Sequence, residues 1–187
     1  MAKKQGALRI SLIQIGWGAT AILLLCGGIL AFATSGDRLL TIATPLGVIM
    51  LFAGLCNVLV YRKKRAQLHG APWILADGMS TAMLSLFLLF NQMIIPTMIP
   101  FFFGVWELFS GILKFIDSRE LKREGVHGWV IFFVISIIEL VSGVASLLRP
   151  IEEFFGMNYI IGIILLVQCS GFVFKTVLYP NFIKRKS

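Results

Sequence analysis

Long apolar runs broken by polar stretches divide the chain into six segments, at about residues 11–34, 39–61, 73–92, 97–116, 129–148 and 154–178. Each reaches the roughly 20 residues that a helix needs to cross the hydrocarbon of a bilayer. They take up most of the chain, so the pattern predicts an all-α integral membrane protein: a single domain, residues 1–187, of six transmembrane helices. The connections alternate in character. "SGDR", "MIIP" and "RPIEE" are short, whereas "RKKRAQLHGAP" and "DSRELKREGVHG" are longer and charged.

Lysine and arginine set the predicted orientation. Fifteen of the 17 lie at the N-terminus (Lys3, Lys4, Arg9), in 62–65, in 114–123 or in the tail from Lys175, and two, Arg38 and Arg149, lie on the other side. The positive-inside rule then makes both termini and both long loops cytoplasmic. A basic start followed by an apolar run and "AFA" at 31–33 imitates a cleavable signal peptide. The run exceeds the usual length of such a peptide, which favours an uncleaved first helix.

Composition narrows the class. With 58% hydrophobic and 14% charged residues and a mean hydropathy of +0.89, a soluble domain is excluded. A net charge of +8 would suggest nucleic acid in a soluble chain. Here it belongs to topology and to anionic lipid headgroups at the cytoplasmic basic clusters, 62–65 and the tail, and no basic aromatic surface for nucleic acid is present. Cys26, Cys56 and Cys169 lie inside apolar runs and read as small packing residues, neither a disulfide framework nor a metal site. His69 and His127 fall in loops, and no H-E-x-x-H, G-x-S-x-G or P-loop occurs. The chain is therefore expected to be no enzyme and to use no cofactor or metal. Association into a homo-oligomer stays open.

Self-comparison reveals a repeat. Trp17, Trp73 and Trp129 stand near the starts of the odd-numbered helices at intervals of 56 residues. Their partner helices carry "GVIMLFAGL" (47–55), "GVWELFSGI" (104–112) and, more faintly, "ILLVQCSGF" (164–172). The predicted unit is a two-helix hairpin used three times, at about 11–61, 73–116 and 129–178, giving parallel repeats about an axis along the membrane normal. The three tryptophans are expected to be interfacial anchors. Gly27 with Ala31 and Ser142 with Ser146 are expected to let helices approach closely. Pro45, Pro96, Pro100 and Pro150 cluster near the outer turns, where they start or stop helices.

In these features the chain resembles the HdeD-type acid-resistance membrane proteins, a family built on a short membrane repeat of unknown function. The hairpins over nearly the whole chain, the helix-start tryptophans, the proline after the first helix of a unit and the "GVWELFSGI" helix carry the resemblance. It implies the bacterial inner membrane and a part in tolerance of acid stress, with no catalytic residues to carry over. The third unit departs from the pattern, with Gly162 and Gly171 nine apart where Gly47 and Gly54, or Gly104 and Gly111, are seven apart.

Candidate chemistry rests on acids inside the spans. Glu107 and Glu139 each lie about ten residues from the cytoplasmic end of their segment, roughly 15 Å deep at the helical rise, near the midplane. No Lys or Arg is expected to pair with them there, and Lys114, two turns from Glu107, reads as too distant. Three states remain: protonation with a hydrogen bond to Ser110, Ser136 or Gln168, one proton shared between the two, or a hydrated cavity. Asp77, four residues past Trp73, is a weaker candidate that reads as reaching interfacial water. The leading expectation is a non-enzymatic stress-tolerance protein acting within the bilayer; the rival is a small proton, ion or solute channel or carrier using Glu107 and Glu139.

Overall fold

The computed structural model describes residues 12–34, 39–66, 71–90, 99–148 and 156–182. Its helices are α1 (Leu12–Ala33), α2 (Leu39–Lys64), α3 (Ala71–Leu89), α4 (Ile99–Arg123), α5 (Trp129–Leu147) and α6 (Met157–Phe182). Arg38, Arg149, Pro96, Pro150 and His69, with the basic residues of the N-terminus and 184–186, lie outside the described residues. Pro45 sits in the second turn of α2.

The even-numbered helices run further toward the basic end than the apolar pattern predicts. Residues 117–123 of α4, read as loop, are helical. Glu, Leu, Lys and Arg there are good helix formers, and the cations complement the negative end of the helix dipole. Gly125, at φ 69°, then ends α4. The Val126 amide donates to the Leu121 carbonyl at 2.9 Å and the Gly125 amide to that of Lys122 at 3.1 Å, a Schellman closure with Leu121 and Val126 both buried.

Five of the helices, all but α4, are long and apolar enough to cross a membrane. The chain is a multi-pass membrane protein with its polarity inverted. Met83 is 71% exposed, and Ile22, Val141 and Val177 are also exposed, whereas Glu107, Lys114 and Glu139 are buried. In α4 Glu107, Lys114 and Asp117 are buried against its neighbours, the placement lipid demands of them.

The closest packing crosses the expected hairpin boundaries: α2 lies on α3, α4 on α5, and α1 on α6, while α1–α2, α3–α4 and α5–α6 meet less extensively. Glycine permits this. A Cβ on Gly54 of α2 would stand 2.7 Å from the Ala82 amide nitrogen of α3, and one on Gly143 of α5 would stand 2.8 Å from the Leu108 nitrogen of α4.

Burial also corrects the register of the repeat. In the odd helices Trp17, Ile74 and Phe132 are buried in turn, as are Leu24, Thr81 and Glu139, spaced 57 and then 58 residues. In the even helices Met50, Glu107 and Gln168 correspond, as do Asn57, Lys114 and Lys175, spaced 57 and then 61. The tryptophan interval of 56 is therefore out of step with the fold. Trp17 occupies a core position, whereas Trp73 and Trp129 precede the equivalent ones and are half-buried.

Candidate functional site

The even helices turn one face to the bundle axis. Residues at i, i+3 and i+7 share such a face, and in α4 these are Glu107, Ser110 and Lys114, all buried. In α2 the same positions hold Met50, Ala53 and Asn57, and in α6 Gln168, Gly171 and Lys175. Polar side chains from three helices thus meet in the middle, closed in by the odd helices.

Lys114 is the hub. Its Nζ donates to Glu139 Oε1 at 2.5 Å, Ser110 Oγ at 2.8 Å and Gln168 Oε1 at 2.9 Å, which uses all three ammonium hydrogens. Gln168 can face only one way, since lysine only donates and a carboxylate accepts. Its Nε2 accordingly donates to Glu107 Oε2 at 2.8 Å and to Ser110 Oγ at 3.0 Å. Ser142 Oγ shares its one hydrogen between Glu107 Oε1 at 3.2 Å and the Glu139 backbone carbonyl at 3.1 Å.

Ser110 extends the network. Having accepted twice, it donates its one hydrogen to Asp77 Oδ1 at 2.9 Å. Asp77 Oδ2 accepts from Asn57 Nδ2 at 3.0 Å and from Lys175 Nζ at 3.3 Å. Asn57 Oδ1 accepts from Trp17 Nε1 at 3.0 Å. All six helices contribute a side chain, and both lysines are within 5% of complete burial.

These contacts overturn several expectations. Glu139 does have a cation, Lys114, because the lysine lies one turn past Ser110 on the inward face and α5 comes in close over Gly111. Lys114 reaches Glu107 only through Gln168. Lys114 and Lys175 do not belong to the basic loops; without them the loop count is thirteen to two, so the orientation argument keeps its sign. Asp77 does not reach interfacial water, since it sits under Asn57, Ser110 and Lys175. Trp17 is no anchor, since it is 1% exposed and bound to Asn57. Of the partners expected for the glutamates, Gln168 bonds Glu107, Ser110 serves Asp77 and Lys114, and Ser136 bonds the Phe133 carbonyl. Ser142 contacts Glu107 and is more than a small packing residue.

Toward the basic-loop end, Trp73, Ile74, Asp77, Leu113, Lys114, Asp117 and Lys175 line a cavity of about 10 Å³, space for about one water. Asp117 Oδ1 and Glu139 Oε2 are buried without a hydrogen-bond partner among the described residues. Trp73 Nε1 donates to Glu120 Oε2 at 2.5 Å. Trp129 lies under the Lys122 ammonium, 4.6 Å from the ring centroid. Asn57, Asp117 and Lys175 escaped the sequence reading. Their signal is the i, i+7 spacing in the even helices, which becomes visible only in the corrected register. The cysteines are unbridged, and among the described residues no three His, Cys, Asp or Glu side chains could hold a metal ion.

The two kinds of tryptophan are expected to respond differently to substitution. Trp17→Phe strands the buried Asn57 acceptor and is expected to cost about 1–3 kcal/mol in detergent-solubilised protein. Trp129→Phe is expected to stay within about 0.5 kcal/mol. Unfolding by sodium dodecyl sulfate, followed by circular dichroism, measures both, and equal losses would contradict the core placement of Trp17.

No curated protein and no solved structure matches the chain. A family model described as a short repeat of unknown function, DUF308, matches it twice, over residues 19–90 and 76–148. The two starts are 57 residues apart and the two ends 58, the spacing at which buried positions recur in the odd helices. With these two copies covering most of its length, the chain belongs to the DUF308 short-repeat family.

Proposed function

We propose that this chain is a non-catalytic protein of the bacterial inner membrane, with both termini cytoplasmic, whose ionic core makes the bundle responsive to protons and so contributes to tolerance of acid stress. The observation that carries the reading is the position of Glu107. It is 0% exposed and held by Gln168 and Ser142, at the far end of the Lys114 clasp and, among the described residues, with no lysine in contact. Four buried carboxyls, Asp77, Glu107, Asp117 and Glu139, share the interior with two ammonium groups, Lys114 and Lys175. Burying unpaired charge is costly, so the core nears neutrality when two of the four carry protons. Among the described residues Glu107 and Asp117 make no ion pair, and exchange at them changes the charge inside the bundle. The resemblance to the acid-resistance proteins supports the physiological setting, and the basic loops support the orientation.

Infrared difference spectra of the reconstituted protein between neutral and acid pH test this. A carboxylic C=O band that responds to pH in the native chain is expected to vanish in Glu107→Gln, and cells carrying that variant are expected to lose acid survival. A pH-insensitive native spectrum would sink the reading.

A second reading, a proton conduit, is favoured by the small cavity beside Asp117. Hydrogen-bonded side chains run from it through Asp77, Ser110 and Gln168 to Glu107, two turns deeper than Lys114. Liposomes enclosing a pH-sensitive dye separate the two. Leakage that disappears in Glu107→Gln supports a conduit, whereas leakage equal to that of empty liposomes supports a responsive but sealed core.

A further inference from the structure

Between the last turns of α4 and the first turns of α5 lies a groove of about 910 Å³, of the size that ligand sites have. One wall carries Arg119, Lys122 and Arg123; the other carries Trp129, Val130, Phe133 and Val134. The three cations stand at i, i+3 and i+4, on one face of α4. Among the described residues no carboxylate lines the groove, because Glu120, the acid among them, is drawn away to Trp73. Lys122 rests on the Trp129 ring at 4.6 Å and Arg119 on Phe115 at 5.0 Å. The Schellman closure at Gly125 fixes the basic end of α4 beside the start of α5.

We propose that this groove binds an anionic glycerophospholipid, its phosphate between Arg119 and Arg123 and one acyl chain along Val130 and Val134. Charge selects an anion, and guanidinium groups suit phosphate oxygens because they donate in a planar fork. The apolar wall selects a lipid over free phosphate, since both valines are about half exposed in a helix apolar enough to cross the membrane. A groove lined by α1 and α2 has the same apolar character but a single cation, Lys63, so it lacks a headgroup clamp. No residue of the buried network described above lines the α4–α5 groove, so the site stands apart from the proton-responsive reading.

Native mass spectrometry of the full chain, released from phosphatidylcholine nanodiscs doped with phosphatidylglycerol, tests the site. The native protein is expected to retain phosphatidylglycerol. Arg119→Gln with Arg123→Gln is expected to weaken retention roughly 30-fold, the effect of two basic residues at a membrane surface. Arg62→Gln with Lys63→Gln removes as much charge from the diffuse headgroup attraction of the 62–65 cluster and is expected to weaken retention by no more than about threefold. Val134→Trp fills the apolar side with every charge intact and is expected to lower retention too. All five positions are exposed, where substitution rarely disturbs folding. Equal loss in the two charge pairs would mean diffuse attraction and overturn the site, as would no loss in either pair, an inert Val134→Trp, or displacement of the lipid by inorganic phosphate.

Discussion

Glu139→Gln is expected to destabilise the bundle by about 3–5 kcal/mol, the cost of leaving a buried charge without its partner, whereas Glu107→Gln is expected to cost less than about 1 kcal/mol. The two glutamates look alike in the sequence and are equally buried, yet their partners differ in kind. Glu139 Oε1 takes one of the three hydrogens of the Lys114 ammonium, and a neutral amide still offers that hydrogen a carbonyl oxygen but leaves the ammonium with no counter-ion in contact. Glu107 accepts from Gln168 and Ser142, and a Gln at 107 keeps a carbonyl oxygen for one of them. The order of effects therefore follows contact with lysine. Unfolding by sodium dodecyl sulfate measures each variant, and Lys114→Met in both backgrounds closes a double-mutant cycle. A coupling of about 2 kcal/mol is expected between Lys114 and Glu139, since contacting residues couple by about 0.5–3 kcal/mol. Much less is expected between Lys114 and Glu107, which meet only through Gln168. Equal losses from the two single substitutions, or a cycle that closes on zero, would show that the clasp does not carry the ion pair described.

The helices were legible because lipid imposes a plain rule: a span needs length and apolarity, and five of the six have both. Helix α4 was legible by length, and Glu107 within it by its oddity. What the sequence concealed was direction. In a lipid-facing helix the usual pattern of apolar in, polar out disappears, so nothing along the chain said that Lys114 and Lys175 turn inward. Both stand near basic loops and were counted with them. The repeat held the missing information, since Asn57, Lys114 and Lys175 are one position seen three times. The tryptophans concealed it, because a 56-residue interval is conspicuous, whereas the real spacings of 57, 58 and 61 are carried by unlike residues. The overlapping family matches at 19–90 and 76–148 carry the same offset.

The depth of the network depends on how closely α2 and α3 approach, so Gly54→Val is expected to damage the fold and the site together. A Cβ at residue 54 would lie 2.7 Å from the Ala82 nitrogen and 2.8 Å from the Gly78 carbonyl oxygen, which are backbone atoms and cannot swing aside. The helices must part, at a cost of about 3 kcal/mol, the upper end of ordinary overpacking. Asn57 lies one turn along α2 from Gly54, and its 3.0 Å bond to Asp77 spans the same seam, so separation of a few tenths of an ångström weakens the link joining Trp17 to the rest. Gly111 is the equivalent position in α4, and its Cβ would stand 3.0 Å from the Leu140 nitrogen and 3.1 Å from Glu139 Cβ. Gly111→Val is accordingly expected to cost less than Gly54→Val in packing and to act more directly on the Lys114 clasp. Gly18 supplies the control. Its Cβ would meet only Thr176 Cγ2, at 3.9 Å, and Gly18→Ala is expected to stabilise α1 by about 0.5–1 kcal/mol through helix propensity. Unfolding measurements on the three variants in one detergent decide the matter. A Gly54→Val protein as stable as the native chain would mean that α2 and α3 do not meet backbone to backbone, and the bond between Asn57 and Asp77 would lose its geometric basis.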